Sequence, residues 1–301
     1  MRIFASRMEG LSILIPTYND ICVSLVEALH HQASTLDIPY EILVADDGST
    51  DGECVRKNTE ITKWENCHLL RREQNVGRAA IRNFLAQHSS YSRLLFIDSD
   101  MVVCRDDFLR KYLESDAPVV DGGIVIRGGD KHHLRALYEY AEEDRHRVEQ
   151  RQLRPYHDFH TANFMIQRQL MLQYPFDERY SKYGYEDVAF GMTMKKNGIP
   201  IQHIDNPLSF EIFETNEDFV RKTEEGLRTL FHFRDELRDY SRLLQFLESV
   251  PRPILATISP LFHCLGNPLR RQLTGRTPSL FLFKIYKVGY YLHYAKTASY
   301  S

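Results

Sequence analysis

The sequence contains little cysteine and no long apolar run, and these absences exclude several classes of protein. Its 301 residues include five cysteines, none of which forms a C-x-x-C pair or a zinc-type spacing. An odd number of scattered cysteines is typical of reduced thiols, so we expect a cytoplasmic protein. Because no run of about 18 apolar residues exists, we expect no transmembrane helix. We also expect no secretory signal, since Pro16 interrupts the apolar N-terminal stretch.

The net charge is small but unevenly distributed along the chain. The formal value of −3 gives no indication of nucleic-acid binding. Residues 251–301 contain seven Lys and Arg and no Asp or Glu, which leaves 31 basic and 41 acidic residues, a net charge of −10, in residues 1–250. The tail 278–301 is also aromatic, and two interpretations remain open. It either lies on an anionic membrane surface, peripherally at the inner face of the membrane, or packs as helices on the acidic part.

Apolar runs alternate with amphipathic segments over residues 1–104. The runs that predict strands are LSILIP (11–16), YEILVAD (40–46), CHLLRR (67–72) and RLLFID (93–98). The segments that predict helices are 20–33, a polar segment ending near 63, and 77–88. This alternation predicts a parallel sheet flanked by helices. Ligands bind at the carboxyl ends of such strands, where Pro16, Asp46, Asp47 and Asp98 stand.

The pattern is less regular after residue 104. The segments that predict strands are 119–129, 159–168 and 199–205, and those that predict helices are 131–153, 185–198 and 216–250. We therefore expect an α/β core that is followed by a helical C-terminal region.

Two aspartates, Asp98 and Asp100, follow a buried strand and are separated only by Ser99. On an extended chain alternate side chains point to the same side, so the two carboxylates converge and repel each other. A divalent cation such as Mg²⁺ or Mn²⁺ prefers carboxylate and phosphate oxygens and would relieve the repulsion. The alternative interpretation is a solvated turn in which Asp98 caps the residues that follow.

Two further segments at strand ends carry polar residues. In VADDGSTDG (44–52), Asp46 and Asp47 are suited to accept hydrogen bonds from a nucleotide base or ribose, although an ordinary strand–turn–helix joint has the same pattern. In NVGRAAIRN (75–83), Arg78 and Arg82 lie one turn apart at the start of a helix. This arrangement suits an anion, but two solvated arginines on a capped helix are an equally good interpretation.

A late acidic pair, Glu186-Asp187, opens the helix predicted at 185–198. The helix dipole favours acids in any first turn, and the functional alternative is a general base for a hydroxyl nucleophile. His203, a short way downstream, is interpreted either as a metal ligand or as a packed histidine at a strand end.

Taken in order, the segments SILIPTYND, ILVADDGSTD, REQNVGRAAIRN, LLFIDSD and GYEDVAFG resemble family 2 glycosyltransferases with the GT-A fold. The resemblance covers roughly residues 11–205. It implies a Rossmann-like α/β fold with a mostly parallel central sheet flanked by helices and a helical C-terminal extension. The implied catalytic domain is 1–215, with a nucleotide-binding half (1–104) and an acceptor half (105–215). The helical region with its basic aromatic tail is then 216–301.

The resemblance also implies roles for the matching residues. The nucleotide-binding positions are Pro16, Thr17, Tyr18, Asp46, Asp47, Asn75, Gly77, Arg78, Asp98 and Ser99. The metal, Mn²⁺ or Mg²⁺, is expected on Asp100, with Asp98 reaching the ribose or a metal-bound water. His203, which the residues alone suggest as a metal ligand or a third contact at the site, is added to this set. The donor-sugar and acceptor pocket is formed by Thr161, Ala162, Asn163 and Tyr185. Of Glu186 and Asp187, Asp187 is the expected catalytic base.

The implied activity is inverting transfer of one hexosyl or N-acetylhexosaminyl group from a nucleotide-sugar to a hydroxyl. We expect a UDP-sugar donor and a glycan or lipid-linked acceptor, as in polysaccharide biosynthesis. Processive members carry a Q-x-x-R-W motif, which is missing because the single tryptophan, Trp64, lies elsewhere. A sugar-phosphate nucleotidyltransferase is one alternative, but its Gly-rich, arginine-containing opening is missing. A catalytically inert nucleotide- or sugar-binding relative is the other.

Overall fold

A computed structural model of the chain describes residues 9–298. Residues 1–8 of the predicted catalytic domain and residues 299–301 of the predicted basic tail lie outside the described part.

Within the described part, the fold combines two β-sheets with helices. The strands are β1 (Leu11–Thr17), β2 (Tyr40–Asp46), β3 (Cys67–Arg71), β4 (Arg93–Ile97), β5 (Met101–Val102), β6 (Val119–Asp121), β7 (Ile124–Ile126), β8 (Asn163–Gln167), β9 (Ile201–His203) and β10 (Leu208–Phe210). The helices that precede β10 are α1 (Val23–Ala33), α2 (Gly52–Asn58), a 3₁₀ turn (Thr59–Lys63), α3 (Arg78–His88), α4 (Phe108–Leu113), α5 (Leu134–Ala141), α6 (Glu143–His146), α7 (Val148–Leu153), α8 (Arg168–Gln173) and α9 (Glu186–Lys196). The helices that follow β10 are α10 (Asn216–His232), α11 (Arg234–Leu237), α12 (Arg242–Ser249), α13 (Arg252–Leu273) and α14 (Leu280–Ala298).

The larger sheet has seven strands in the order β3-β2-β1-β4-β8-β6-β9. Strands β1 to β4 are mutually parallel and β9 runs parallel to β6, whereas β8 is antiparallel to both β4 and β6. A second sheet has the order β5-β10-β7. The predicted parallel α/β sheet is therefore confirmed. The carboxyl ends of β1, β2 and β4 lie at the same edge.

Helices cover both faces of the larger sheet, which explains the composition of its strands. Ile13 and Leu14, neighbours on β1 whose side chains point to opposite faces, are both fully buried. Parallel strands that are buried on both faces carry continuous apolar runs instead of alternating ones. Phe164 of β8 stacks on Phe96 of β4 with ring centroids 4.9 Å apart, so the antiparallel strand shares the same core.

Three predicted elements are interrupted in the structure. The helical segment predicted at 216–250 divides into α10, α11 and α12. The strand predicted at 119–129 divides into β6 and β7 at Gly122-Gly123, because Gly123 adopts a φ of 78° and the two strands join different sheets. The helix predicted at 131–153 is three short helices, and the backbone at Arg147 is extended between the last two. This break allows Arg151 to lie buried beside Asp121, at 2.9 Å.

The described chain forms two compact units. The first contains the described residues up to Arg127, together with Asp144–Ser181 and Glu186–Glu211. The second contains Gly128–Glu143, Lys182–Tyr185 and the residues from Ile212 onward. The predicted division at 215/216 stays a prediction, and its position is close to the switch between units at residue 212.

No helix within residues 9–298 combines the length and apolar content needed to cross a bilayer. All five cysteines are free thiols, and Cys264 is exposed.

Candidate active site

The loops that follow β1 and β2 are joined by Asn19. Its backbone N–H donates to Ser49 Oγ at 2.8 Å, and its side-chain Oδ1 accepts from the N–H groups of Thr50 and Asp51 at 2.8 and 2.9 Å. Asn19 has a φ of 50°, in the left-handed region that asparagine tolerates well. The sequence analysis did not assign a role to Asn19. Its position between a strand end and Asp20 was the only available signal.

Both aspartates at the end of β2 are buried and hold loop backbone. Asp46 accepts from the Ser49 N–H at 2.8 Å, and Asp47 accepts from the N–H groups of Val76 and Gly77, both at 3.0 Å. Burial raises the pKa of Asp47, and the two donated hydrogen bonds oppose that rise. Nucleotide binding by either residue stays a prediction. In the described structure they shape the loops on which nucleotide contacts would depend.

Gly77 is required by the path of the chain before α3. Its φ is 90°, and a Cβ atom built on it would lie 2.5 Å from the Ser181 carbonyl oxygen. Any other residue would therefore be strained both by its backbone conformation and by this contact. Asn75, two residues earlier, is exposed and free to meet a ligand at the surface.

Four charged side chains from three segments form one arginine–carboxylate network, which consists of Arg78, Arg82, Asp98 and Glu186. Arg78 pairs with Asp98 Oδ2 and with Glu186 Oε1, each at 2.8 Å. Arg82 pairs with Asp98 Oδ1 at 2.5 Å and lies 3.7 Å from Glu186 Oε1. Arg82 is 1% exposed, so this charge depends on its carboxylate partners. The two arginines one turn apart thus bind protein acids in this structure.

Two other acids beside the network, Asp100 and Asp187, form no ion pair with another described residue. Burial and the Asp98 carboxylate raise the pKa of Asp100 to about 6. Burial and the Glu186 carboxylate likewise raise the pKa of Asp187 to about 6, against the effect of its hydrogen bond from the Val188 N–H. Carboxyl groups whose pKa lies near neutrality are suited to accept protons or to gain stability from a cation.

The donor set fits a divalent cation that arrives together with phosphate. Within residues 9–298 no cluster of three or more Asp, Glu, His or Cys could hold a metal ion alone. Each oxygen of Asp98 already accepts a hydrogen bond from an arginine, whereas Asp100 forms no ion pair within the described residues and is the less engaged carboxylate. Mg²⁺ commonly binds through one or two carboxylates and completes its shell with substrate phosphates and water.

The remaining predicted residues are divided between the site and the core. Ala162 lies beside the D-x-D segment, since its carbonyl accepts from the Asp98 N–H at 3.1 Å, and Thr161 next to it is buried. Tyr18 follows β1 and is 46% exposed. Pro16, Thr17 and Ser99 lie at the same strand ends, at the ends of β1 and β4. Tyr185 belongs to the second compact unit and has a φ of 71°.

His203 and Asn163 have their polar atoms engaged inside the protein. His203 Nδ1 accepts from Arg151 at 2.8 Å and Nε2 donates to the Pro155 carbonyl at 2.9 Å, while burial lowers its pKa. A neutral imidazole with a hydrogen bond at each ring nitrogen has no free nitrogen for a metal ion. The arrangement therefore favours the interpretation of His203 as a packed histidine. Asn163 donates to the Gly123 and Asn206 carbonyls at 2.9 Å each. The predicted role of Asn163 in the donor-sugar and acceptor pocket stays a prediction, and these hydrogen bonds inside the protein do not favour it.

Comparison with known proteins identifies the family. The model of glycosyl transferase family 2 matches residues 12–174, more than half of the chain. The chain belongs to glycosyltransferase family 2. The matched range begins in β1 and contains the strand-end loops, α3 and the D-x-D segment, while Glu186-Asp187 lies beyond it.

The curated relatives match only part of the chain. Glycosyltransferase AglE of Haloferax volcanii is 29% identical over 131 residues, which cover 42% of this chain and 40% of that protein. A poly(ribitol-phosphate) beta-glucosyltransferase of Bacillus spizizenii is 33% identical over 105 residues, covering 34% of this chain and 16% of the relative. The chain thus spans less than half the length of these relatives.

Solved structures share the fold over nearly the whole chain. TarS residues 1–349 of S. aureus superpose with a TM-score of 0.53 at 17% identity, covering 96% of this chain and 92% of that one. The mannosyltransferase PcManGT of Pyrobaculum calidifontis, in complex with GDP-Man and Mn²⁺, gives 0.55 at 18% identity, with 98% and 88% covered. The predicted GT-A fold of this family 2 glycosyltransferase is confirmed, including the helical C-terminal region.

We predict that Arg82→Met destabilises the protein by about 3–5 kcal/mol, because Asp98 and Glu186 lose a buried partner. The measurement is urea unfolding monitored by circular dichroism. Arg56→Met, at an exposed position on α2, is the matched control and should change the free energy of unfolding by less than about 0.5 kcal/mol. A loss below about 1 kcal/mol for Arg82→Met would show that the network does not stabilise the fold.

We also predict that Asp187→Asn stabilises the protein at neutral pH. Because the folded pKa of Asp187 is raised from 3.8 to about 6, the folded state binds more protons in that interval and wild-type stability falls as pH rises through it. The variant lacks this loss, so its advantage should grow from near zero at about pH 4 to about 1 kcal/mol at about pH 7, after allowance for solvent screening. Thermal melts at both pH values measure it, with exposed Asp37→Asn as control. An advantage that is independent of pH contradicts the assignment.

Proposed function

We propose that this chain is a divalent-metal-dependent, inverting glycosyltransferase that moves one sugar from a nucleotide-sugar to a hydroxyl of a glycan or lipid-linked acceptor. The observation that carries the proposal lies within the first compact unit. The network built on Arg82 draws the segments of Asp100 and Asp187 to one edge of the sheet while leaving these two acids without an ion pair.

The donor side of the site is formed by the strand-end loops and the start of α3. Arg78 is 42% exposed and stands at the first turn of this helix, where N–H groups and the helix dipole favour an anion. Asp100 would hold Mn²⁺ or Mg²⁺ between the protein and the diphosphate. When bound, the cation supplies charge neutralisation for the departing nucleoside diphosphate. The Mn²⁺ in the PcManGT complex supports this cofactor.

A UDP-sugar is the proposed donor. TarS, which shares the fold, has been solved with UDP and with UDP-GlcNAc, whereas PcManGT has been solved with GDP-Man. A polymeric glycan acceptor is supported by the names of the matched relatives, which include a chondroitin synthase of Escherichia coli that is 28% identical over 139 residues, 45% of this chain and 19% of that protein. The lack of a Q-x-x-R-W motif supports transfer of a single sugar per encounter.

Asp187 is the proposed base. Its carboxylate takes the proton from the acceptor hydroxyl, and the oxygen bonds to the anomeric carbon on the face opposite the nucleotide. The bond from that carbon to the diphosphate oxygen breaks, and the electron pair leaves with the diphosphate, so the anomeric configuration inverts. A pKa raised toward neutrality makes Asp187 a stronger proton acceptor than an ordinary aspartate. Glu186 is 5% exposed and paired with Arg78, so we assign it to positioning.

The alternatives are less well supported. Membership of glycosyltransferase family 2 favours sugar transfer over nucleotidyl transfer. A catalytically inert relative would bind nucleotide without turnover, so turnover by the wild-type chain on UDP-sugars distinguishes it.

We predict that UDP with Mn²⁺ raises the melting temperature more than UDP, GDP or CMP without metal, because a ligand that binds only the folded state stabilises it. Asp100→Ala should abolish the Mn²⁺-dependent part of the shift. Exposed Asp37→Ala serves as control and should retain it. Equal UDP shifts with and without metal in the wild type would remove the cation from the proposal.

We predict that Asp187→Asn retains the UDP–Mn²⁺ thermal shift but lowers turnover on a panel of UDP-sugars by about 10²–10⁴-fold, the usual contribution of a general base. Turnover is measured as released UDP with a mixture of glycan acceptors. Wild-type turnover in this variant would show that a residue other than Asp187 is the base. Loss of nucleotide binding in the same variant would instead give Asp187 a role in the donor site.

A further inference from the structure

The last two helices of the second unit, α13 and α14, form an antiparallel hairpin. Only residues 274–279 connect the two helices, and Phe262 of α13 contacts Tyr286 of α14 with ring centroids 5.3 Å apart, so the chain reverses between them. His263 also contacts His293, at 5.7 Å. A Cβ atom on Gly289 would lie 2.2 Å from the Phe262 ring, so the two helices approach as closely as side chains permit. The facing sides of the two helices are therefore packed against each other.

The outer face of α14 is apolar although it is exposed. Phe281 is 71% and Ile285 43% exposed, and Val288 and Leu292 continue the same face at spacings of three and four residues. The opposite face carries Phe283 and Tyr286, which are buried. Both faces of the helix are thus apolar, and packing within the second unit accounts for only one of them.

Helix α13 has a matching stripe. Ile254, Leu261 and Leu265 recur at spacings of seven and four residues and are 54%, 59% and 45% exposed. Single exposed apolar residues need no explanation, but stripes on two packed helices form a patch that is typical of an interaction site.

Cations accompany this apolar surface, and the sequence of residues 251–301 contains no Asp or Glu. Of the seven basic residues in 251–301, Arg270 pairs with Glu217 and Glu224, at 2.6 and 3.1 Å, and Lys287 lies over the Phe283 ring. The other five are exposed and form no ion pair within residues 9–298, namely Arg252, Arg271, Arg276, Lys284 and Lys296. On α14, Lys284 and Lys296 lie on the two flanks of the apolar face.

We propose that the α13–α14 hairpin docks in the plane of an anionic lipid bilayer, with its apolar stripes among the headgroups and its cations on the lipid phosphates. Apolar surface edged by Lys and Arg is what interfacial helices present to such a surface. A second copy of the chain is a poorer occupant, because five unpaired cations on each side would face like charges. The inference rests on this surface alone and does not depend on the proposed catalytic activity.

The test is co-sedimentation of the full chain with vesicles of phosphatidylcholine alone and with vesicles that also contain phosphatidylglycerol. We expect binding to the anionic vesicles that weakens with added salt, since the lipid charge acts within a Debye length. The double variant Phe281→Ser/Ile285→Ser should lower the vesicle partition coefficient at least tenfold, and Lys284→Glu/Lys296→Glu should do the same.

Matched controls are Leu153→Ser, a 74% exposed apolar residue of the first unit, and Lys131→Glu, an exposed lysine outside the hairpin. Both should bind vesicles as the wild type does, and circular dichroism melts verify that every variant is folded. Absence of binding to anionic vesicles overturns the proposal, as does equal loss in the control variants. Light scattering of the protein without vesicles measures its oligomeric state and tests whether a second copy covers this surface. A dimer that Phe281→Ser/Ile285→Ser dissociates, without a change in vesicle binding, would assign the surface to a second copy.

Discussion

The buried guanidinium of Arg82 is the contact on which the candidate site depends. It joins α3, the end of β4 and the start of α9 through Asp98 and Glu186, segments that are far apart in the sequence. A buried charge of this kind is tolerable only while its partners remain in place, so the three segments hold one another. Arg78, on the exposed side of the same helix turn, extends the network toward solvent, where a ligand would approach.

This network also separates four neighbouring acids into two roles. Asp98 and Glu186 form ion pairs with the arginines and hold the segments of the site together. Asp100 and Asp187 have raised pKa values and form no ion pair within the described residues. Each motif therefore contains one structural and one chemically available carboxylate. The pairing explains why each motif contains two closely spaced acids, since one secures the backbone that presents the other.

Much of the fold and part of the site could be predicted from the sequence. Continuous apolar runs identified β1 to β4, and their common edge located the D-x-D segment, because parallel strands impose that geometry. The pairing partners of Asp98 and Asp47 could not be predicted, since a carboxylate offers the same oxygens to a ligand, an arginine or a backbone N–H. The buried Asp121–Arg151 pair and the glycine break at residues 122–123 gave equally little signal, because each depends on contacts between distant segments.

The hydrogen bonds that Asp47 accepts from Val76 and Gly77 have a consequence for genetics. These hydrogen bonds fix the backbone at the two residues directly before Arg78. The end of β2 therefore determines the position of the Arg78 backbone at the start of α3. An allele altered at Asp47 would therefore resemble one altered at Arg78, although the two residues belong to different motifs. Inactivity in such an allele is thus not a signature of lost base or ribose recognition; it reports equally on a displaced helix start.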